Sequence, residues 1–322
     1  MLISVHSYAK INLGLKIGPR RADGFHDLRT MYTTIALSEP LRIEVTEGSG
    51  IEIICDDPRV PRDSTNTCYR AAEKVLQSLQ IQSKVTISIE KKLPVQGGLG
   101  AASGNAVATI FALEKAVNKS LAAQARAKIA ATIGSDLNLF LYGGLVVGTG
   151  RGEEVWPLPD LPSLPLVIVI PEVGVSTPKA FADWDALTAP LGSATMNEFS
   201  DAVYAWLGVK YSPQDLNPAS GVPAFGGDRA ETLLLDLVRT GISNDFERVV
   251  FPEIPALREV KCALEREGAA YASLSGSGST LYGLFRTTAE AEQAAERLNA
   301  SGMRAIATRT LPRDEYWRGM FA

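Results

Sequence analysis

Residues 94–107 read PVQGGLGAASGNAV. Three glycines (Gly97, Gly98, Gly100) and two alanines (Ala101, Ala102) run into Ser103, and an apolar helical segment follows. Glycine lets backbone N–H groups approach an anion with no Cβ in the way. Ala106, Ile110, Leu113 and Val117 follow helical spacing, so the pattern predicts a helix over about 104–117 with Ser103 as its N-cap. The N-terminus of such a helix offers unpaired N–H groups and the positive end of its dipole. The stretch therefore reads as a phosphate cradle. A glycine-rich turn joining a strand to a helix is the plain alternative, and Pro94 with the abrupt helix start favours the cradle. Two familiar relatives of this loop do not fit. No lysine lies between Lys92 and Lys115, as the P-loop pattern requires, and Ser103 stands where the dinucleotide pattern needs its third glycine.

The chain around this loop has 322 residues, 46% hydrophobic and 21% charged, with a net charge of −4. These values describe a folded chain of about two domains and disfavour a nucleic-acid or anionic-membrane surface, which needs basic patches. The segment PLPDLPSLP (157–165) marks the expected boundary, giving domains 1–160 and 161–322 with a variable segment around 189–230. Three cysteines without C-x-x-C spacing and two histidines, His6 and His26, argue against a disulfide scaffold, a zinc site and a Ser-His-Asp hydrolase. No secretory signal is visible at the start, and the apolar run 164–171 is too short to span a bilayer. A cytoplasmic protein is expected.

Along the chain, strands are predicted at 2–9, 30–37, 41–47 and 51–55, separated by turn signals that include Gly18-Pro19 and Glu39-Pro40. A helix is predicted at 67–79, capped by Thr65 or Asn66, then a strand at 85–89 entering the glycine loop and helices at about 104–117 and 121–133. Residues 144–149 form a strand, and 166–170 a strand buried on both faces. The tail gives helix 255–267, strands 271–275 and 280–285, helix 288–300 and strand 303–309. That order predicts an α+β layer with a mostly antiparallel sheet.

Four further places carry chemistry. Lys10 interrupts an apolar strand, where a lysine either snorkels to solvent or needs a partner, and Asn12 shares its face. Asp136 lies among Ile133, Leu137, Leu139 and Phe140; it either caps a helix or is partly desolvated and calls for a cation such as Lys10. Gly-Phe-His-Asp (24–27) offers a ring and an imidazole, either a satisfied turn or a nucleobase clamp. SLSGSGST (273–280) is a second glycine loop between strands, either a hairpin or a second backbone surface for phosphates.

In order and spacing these pieces resemble the GHMP small-molecule kinases. The segments that carry the resemblance are SYAKINL (7–13), RADGFH (21–26), LPVQGGLGAASGNA (93–106), GSDLNLFLYGG (134–144) with GTGRGE (148–153), and LSGSGST (274–280). RADGFH together with AKINL singles out the branch acting on a diphosphocytidyl sugar alcohol. The resemblance implies an α+β GHMP kinase fold, with an N-terminal α/β layer like a ribosomal-protein domain and a C-terminal ferredoxin-like domain. It implies ATP-dependent phosphorylation of the 2-hydroxyl of a diphosphocytidyl-methylerythritol in non-mevalonate isoprenoid synthesis, with Mg²⁺ bridging the phosphates. Asp136 would be the general base and Lys10 its partner. Pro94, Gly97, Gly98, Leu99, Gly100, Ala101, Ala102, Ser103 and Gly104 would hold ATP, with Asn66 at the adenine. Asn12, Phe25, His26, Tyr32, Thr177 and Phe181 would line the substrate pocket, Phe25 and His26 at the cytosine. No side-chain set for a metal is implied, and the expected partner is a small molecule, with the chain a monomer or weak homodimer. The chain departs from the family's usual pattern at Phe25 (usually Tyr), Ala101 and Ala102 (usually Gly), Gly104 (often Ser) and Leu137-Asn138 (usually Val-Pro). The alternatives are another GHMP kinase, acting on mevalonate, homoserine or a sugar, or a catalytically silent nucleotide-binding protein of the same fold.

Overall fold

The computed structural model describes residues 1–160, 162–188, 196, 197, 199–201, 203 and 242–321. Most of the segment read as variable, 189–230, lies outside the described residues. Two compact units are present. One comprises Met1–Ile11, Tyr32–Asp160 and Leu311–Ala322; the other comprises Asn12–Met31 and Leu161–Thr310. A single cut at 160 does not describe them, because the first two strands and the C-terminal tail each cross from one unit to the other.

Those strands are long. β1 runs Leu2–Arg20 and β2 runs His26–Thr46. Gly18-Pro19 and Glu39-Pro40, expected to be turns, lie inside them. Proline's fixed φ suits an extended chain, and Pro40 still accepts a hydrogen bond from Glu90 N–H at 3.1 Å through its carbonyl. The turn between the two strands is at 21–25, where Gly24 adopts φ +84° and its N–H reaches Arg21 O at 3.1 Å.

In the first unit, β3 (Gly50–Cys55), β4 (Lys84–Ile89), β2, β5 (Leu145–Thr149) and β6 (Glu154–Pro157) form a sheet in that order, with β1 paired to β2. β3 and β4 are parallel, whereas β2–β4 and β5–β6 are antiparallel. Val85, Ile87 and Ile89 alternate inward as the period of a half-buried strand requires. They meet α1 (Thr67–Leu79), α2 (Ala101–Val117) and α3 (Ala123–Ile133) in one core. α1 buries Cys68, Ala71, Ala72 and Val75, a one-faced stripe, and Asn66 caps it by accepting from Cys68 N–H at 2.8 Å. α2 is buried nearly all round, from Gly104 to Glu114. That is why its sequence is a run of small and apolar residues rather than an amphipathic stripe. The short α4 (Leu137–Phe140) follows α3.

In the second unit, β7 (Pro165–Val169), β8 (Tyr271–Leu274), β9 (Leu281–Leu284) and β10 (Ala305–Arg309) form an antiparallel sheet ordered β10-β7-β9-β8. The continuous apolar run 166–169 becomes a central strand of it. Helices α5 (Thr177–Thr188), α6 (Glu247–Glu253), α7 (Pro255–Arg266) and α8 (Thr288–Ala300) belong to this unit. α8 opens on a capping box between Thr287 and Glu290. The C-terminal α9 (Arg313–Met320) returns to the first unit. Among the described residues no helix is long and apolar enough to cross a membrane.

Candidate active site

Lys10 sits in β1 between Ala9 and Ile11, and only 2% of it is exposed. A lysine so deep does not snorkel; it is paired. Its Nζ lies 3.4 Å from Asp136 Oδ2, and 5.3 Å from the centre of the Tyr32 ring. Tyr32 donates its hydroxyl to Asp136 Oδ1 at 3.1 Å. The phenol is held well above its ordinary pKa, first by burial and then by the Asp136 charge, so it remains a donor. Asp136 precedes α4, but its side chain makes no capping bond. Instead its two oxygens are divided between Tyr32 and Lys10. Arg70 donates to the carbonyls of Thr132 (2.8 Å) and Ile133 (3.2 Å), closing the end of α3 just before Asp136.

The glycine loop lies against this pair. Lys10 N–H donates to Leu99 O at 3.0 Å. A Cβ on Gly100 would come within 3.0 Å of Lys10 Cγ and of Phe140 Cζ, and Gly100 also has φ +69°. Only glycine meets both conditions. Gln96, Gly98 and Gly100 all carry positive φ, so alternate residues of the loop are left-handed. That alternation turns successive N–H groups toward one side. α2 begins at Ala101, with Gly100 as its N-cap and no side-chain capping bond. The sequence reading of Ser103 as N-cap and a start at 104 is therefore corrected. The left-handed Gly100 lets the helix begin earlier, and Ala101 and Ala102 take ordinary helical angles. Gly104 N–H is bonded back to Gly100 O at 2.8 Å. The amides of Ala101, Ala102 and Ser103 precede it in the first turn, where an α-helix has no acceptors of its own.

A cavity of about 380 Å³ opens over these amides. Pro94 and the whole stretch Gly97–Ser103 line it, together with Asn66, Arg59, Lys91 and Asn105. Its lining includes two cations and no carboxylate, and each cation is already paired, Arg59 with Asp57 and Lys91 with Glu39, so the loop and helix-end amides are what suit a polyanion. Asn66 is mostly committed: its Nδ2 donates to Pro61 O at 2.6 Å while its Oδ1 caps α1. Cys68 also lines the cavity, and burial pushes its thiol up to about 12, so it stays a neutral wall. Gly104 faces away, toward β1: a Cβ there would be 2.8 Å from Ser7 Oγ and 2.9 Å from Tyr8 O.

The second unit holds the other predicted group. His26 is buried, with Nδ1 at 3.0 Å from Gly18 O and Nε2 at 3.2 Å from Asp185 Oδ1. Both ring nitrogens thus face acceptors, and both bonds form at once only when both nitrogens carry hydrogen. Phe181 of α5 stacks on the imidazole at 5.1 Å and 9°, and meets Phe246 edge-on at 5.0 Å. Phe25, at the turn, is 51% exposed. The structure therefore brings His26 and Phe181 together, but the edge expected to read a base is engaged by Asp185. Thr177, the first residue of α5, shares a hydrogen bond of 2.7 Å with Ser277 of the second glycine loop. Asn244 holds that loop through the carbonyls of Leu274 and Gly276, both at 2.8 Å. Asn12 ties the two long strands together. Its Nδ2 donates to Thr30 Oγ1 at 2.8 Å, and Thr30 in turn donates to Gly14 O.

Sequence reasoning missed Asp185, Arg59, Lys91 and the bond from Tyr32 to Asp136. Asp185 and Arg59 lie in stretches without periodic or motif signal. Lys91 stands three residues before Pro94, where its position at the loop's entrance was the available clue.

Comparison with known proteins places the chain in a family. The family model described as the GHMP kinases N terminal domain matches residues 66–144, which contain the loop and Asp136, and the GHMP kinases C terminal model matches 230–303. The 4-diphosphocytidyl-2-C-methyl-D-erythritol kinase of Solibacter usitatus is 34% identical over 282 residues, 88% of this chain and 81% of that one. Its counterpart from Heliobacterium modesticaldum is 34% identical over 320 residues, 95% of each chain. A crystal structure of 4-(cytidine 5'-diphospho)-2C-methyl-D-erythritol kinase superposes with a TM-score of 0.70 at 28% identity, covering 96% of this chain and 99% of that one. Relatives this similar over nearly the whole length mean that the chain belongs to the 4-diphosphocytidyl-2-C-methyl-D-erythritol kinase family of GHMP kinases.

Proposed function

We propose that this protein transfers the γ-phosphoryl group of ATP to the 2-hydroxyl of 4-diphosphocytidyl-2-C-methyl-D-erythritol, as a cytoplasmic enzyme of isoprenoid synthesis. One observation carries the reading: a buried lysine and a half-buried aspartate form an ion pair directly beside a nest of loop and helix-end amides. Asp136 takes the hydroxyl proton as the oxygen attacks the γ-phosphorus; the new O–P bond forms, the bond to the β-phosphate oxygen breaks, and ADP leaves. Lys10 pairs with the carboxylate and balances charge on the moving phosphoryl group. Phosphoryl transfer asks chiefly for positioning and charge stabilisation, which this arrangement supplies. Tyr32 is held protonated and orients the base rather than serving as one.

The cavity over Gly97–Ser103 would take the triphosphate, with Asn66 beside the adenine. Mg²⁺ bound with the nucleotide would supply neutralisation of the phosphate charge. The lining offers hydroxyls, including Ser103, and no carboxylate, and among the described residues no group of three His, Cys, Asp or Glu side chains could hold a metal. The ion would therefore be held mainly by phosphate oxygens, with Ser103 as the protein oxygen at the helix end. Cytosine would lie against the rings of Phe25, His26 and Phe181, taking Nε2 of His26 in place of Asp185. Thr177 would lie at the same wall.

The test is product mass. Protein, ATP, Mg²⁺ and the diphosphocytidyl substrate should give ADP and a product heavier by one phosphate, while mevalonate, homoserine and simple sugars should give none. Equal turnover of a substrate lacking a base would refute the assignment. Asp136→Asn should lose turnover and keep its affinity for ATP; near-normal kcat in that variant would remove Asp136 as the base.

A further inference from the structure

Glu39 is fully buried, in the middle of β2, at a place where the sequence suggests a turn. Burying a carboxylate is costly unless it is paired and hydrogen-bonded, and this one is saturated. Lys91 Nζ and Leu93 N–H both donate to Oε1, the latter at 2.9 Å. Asn105 Nδ2 donates to Oε2 at 2.9 Å. Because a carboxylate only accepts, this last bond fixes which way the Asn105 amide is turned.

The positions of these donors matter. Lys91 and Leu93 form the stem by which β4 enters the glycine loop, and Asn105 lies in the first turns of α2, on the far side of that loop. Lys91 and Asn105 both line the cavity over the amides. One side chain from β2 therefore ties together the two ends of residues 94–104. The strand is itself fixed there, since Leu41 pairs with Ile89 and Glu90 N–H donates to Pro40 O.

We propose that Glu39 is a positioning residue for the nucleotide: its carboxylate braces both stems of the glycine loop and so sets the amides that hold the phosphates. The proposal rests on the reading of the cavity as the ATP site. Glu39 does not touch the phosphates. It acts by removing freedom from the loop before ATP arrives, and preorganised donors bind more tightly because their ordering cost is already met in folding.

The test separates nucleotide from acceptor. Wild-type protein is first titrated with ADP and Mg²⁺ by calorimetry. No binding there would overturn the ATP-site reading, and the brace with it. Glu39→Gln keeps the size of the side chain but leaves Lys91 without its counter-charge. With wild-type binding in hand, this variant is expected to show KM for ATP raised about tenfold, KM for the diphosphocytidyl substrate changed by less than about twofold, and kcat lowered less than kcat/KM for ATP. An unchanged KM for ATP in folded Glu39→Gln, or an equal rise in both KM values, would overturn the brace while leaving the ATP-site reading intact. Should Glu39→Gln fail to fold, Asn105→Ala keeps the Glu39–Lys91 pair and cuts only the tie to α2. It should show the same selective loss for ATP, and its absence counts against the proposal with equal force.

Discussion

Tyr32 and Asp136 are joined by a hydrogen bond of 3.1 Å in which the phenol donates. The bond assigns one oxygen of the carboxylate to Tyr32 and leaves the other to Lys10. It also fixes the plane of the carboxylate, and so, for the proposed base, the direction from which a hydroxyl would hand over its proton. Tyr32→Phe keeps the ring against which Lys10 packs and removes only this tether. The expected result is a fall in kcat of about tenfold with KM for ATP unchanged, because the proposed nucleotide cradle is left intact. Steady-state kinetics with ATP varied at saturating acceptor checks it, and a wild-type kcat would show that Lys10 alone orients the base.

Much of this centre was legible in the sequence because its parts obey local rules. The glycine cluster before a helix, the lysine inside an apolar strand and the aspartate ringed by apolar residues are each readable within a few residues. That Lys10 and Asp136 meet could be argued from the cost of leaving either one alone in the core and from the resemblance to the GHMP kinases, but from no local pattern. What stayed illegible is what depends on distant strands. Glu39-Pro40 has the composition of a turn; the pairing of β2 with β4 keeps it extended, and Lys91, Leu93 and Asn105 satisfy its buried charge. The start of α2 was misplaced for a similar reason. Ser103 looks like a cap locally, but the left-handed Gly100, pressed between Lys10 and Phe140, begins the helix. α9 gave no strong periodic signal. Its place is set by Tyr316, whose hydroxyl donates to Phe140 O at 2.7 Å, a contact that spans most of the chain.

His26 is held by Gly18 O on one nitrogen and by Asp185 on the other. A pyrimidine that bonds Nε2 must compete with a carboxylate. His26→Ala should therefore raise KM for the diphosphocytidyl substrate far more than KM for ATP. Asp185→Asn, which removes the competing charge but keeps the shape, should change KM for ATP little while shifting KM for the cytidyl substrate. Paired KM measurements on both variants decide this, and parallel changes for both substrates would remove the base from this pocket.

Gly104 is a matter of space. A methyl group there would stand 2.8 Å from Ser7 Oγ and 2.9 Å from Tyr8 O, so α2 and β1 would have to part. Overpacking of this kind costs about 1–3 kcal/mol. Lys10 is two residues from Tyr8, so the same shift would move the ammonium away from the loop. Gly104→Ala should lower both Tm and kcat. Ser7 Oγ is buried without a hydrogen-bond partner, so Ser7→Ala alone should be close to neutral or slightly stabilising. Combined with Gly104→Ala it should recover part of the lost stability, but not all, because the Tyr8 carbonyl remains. A double-mutant cycle in thermal unfolding measures this, and strict additivity would mean that the two side chains do not collide.

The alkaline side of the stability curve follows from burial. Tyr32, Tyr271, Tyr282 and Tyr316 all have hydroxyls pushed above their ordinary range, in each case chiefly by desolvation. The protonated phenol is the form that the folded state favours. In the unfolded chain these groups ionise near pH 10. Their contribution to stability is therefore fully present below about pH 10 and is lost as the pH rises from there toward the folded-state values, because the unfolded chain then holds fewer protons than the folded one. Tm should stay level with respect to these groups up to about pH 9.5 and then fall steeply. With nine tyrosines in the chain, a spectrophotometric titration should show no more than five ionising while the near-ultraviolet circular dichroism remains native, and the other four ionising together with unfolding. Smooth ionisation of all nine in a protein whose dichroism is unchanged would mean that Tyr32 is open to solvent, and a phenol open to solvent could not hold the Asp136 carboxylate in one plane.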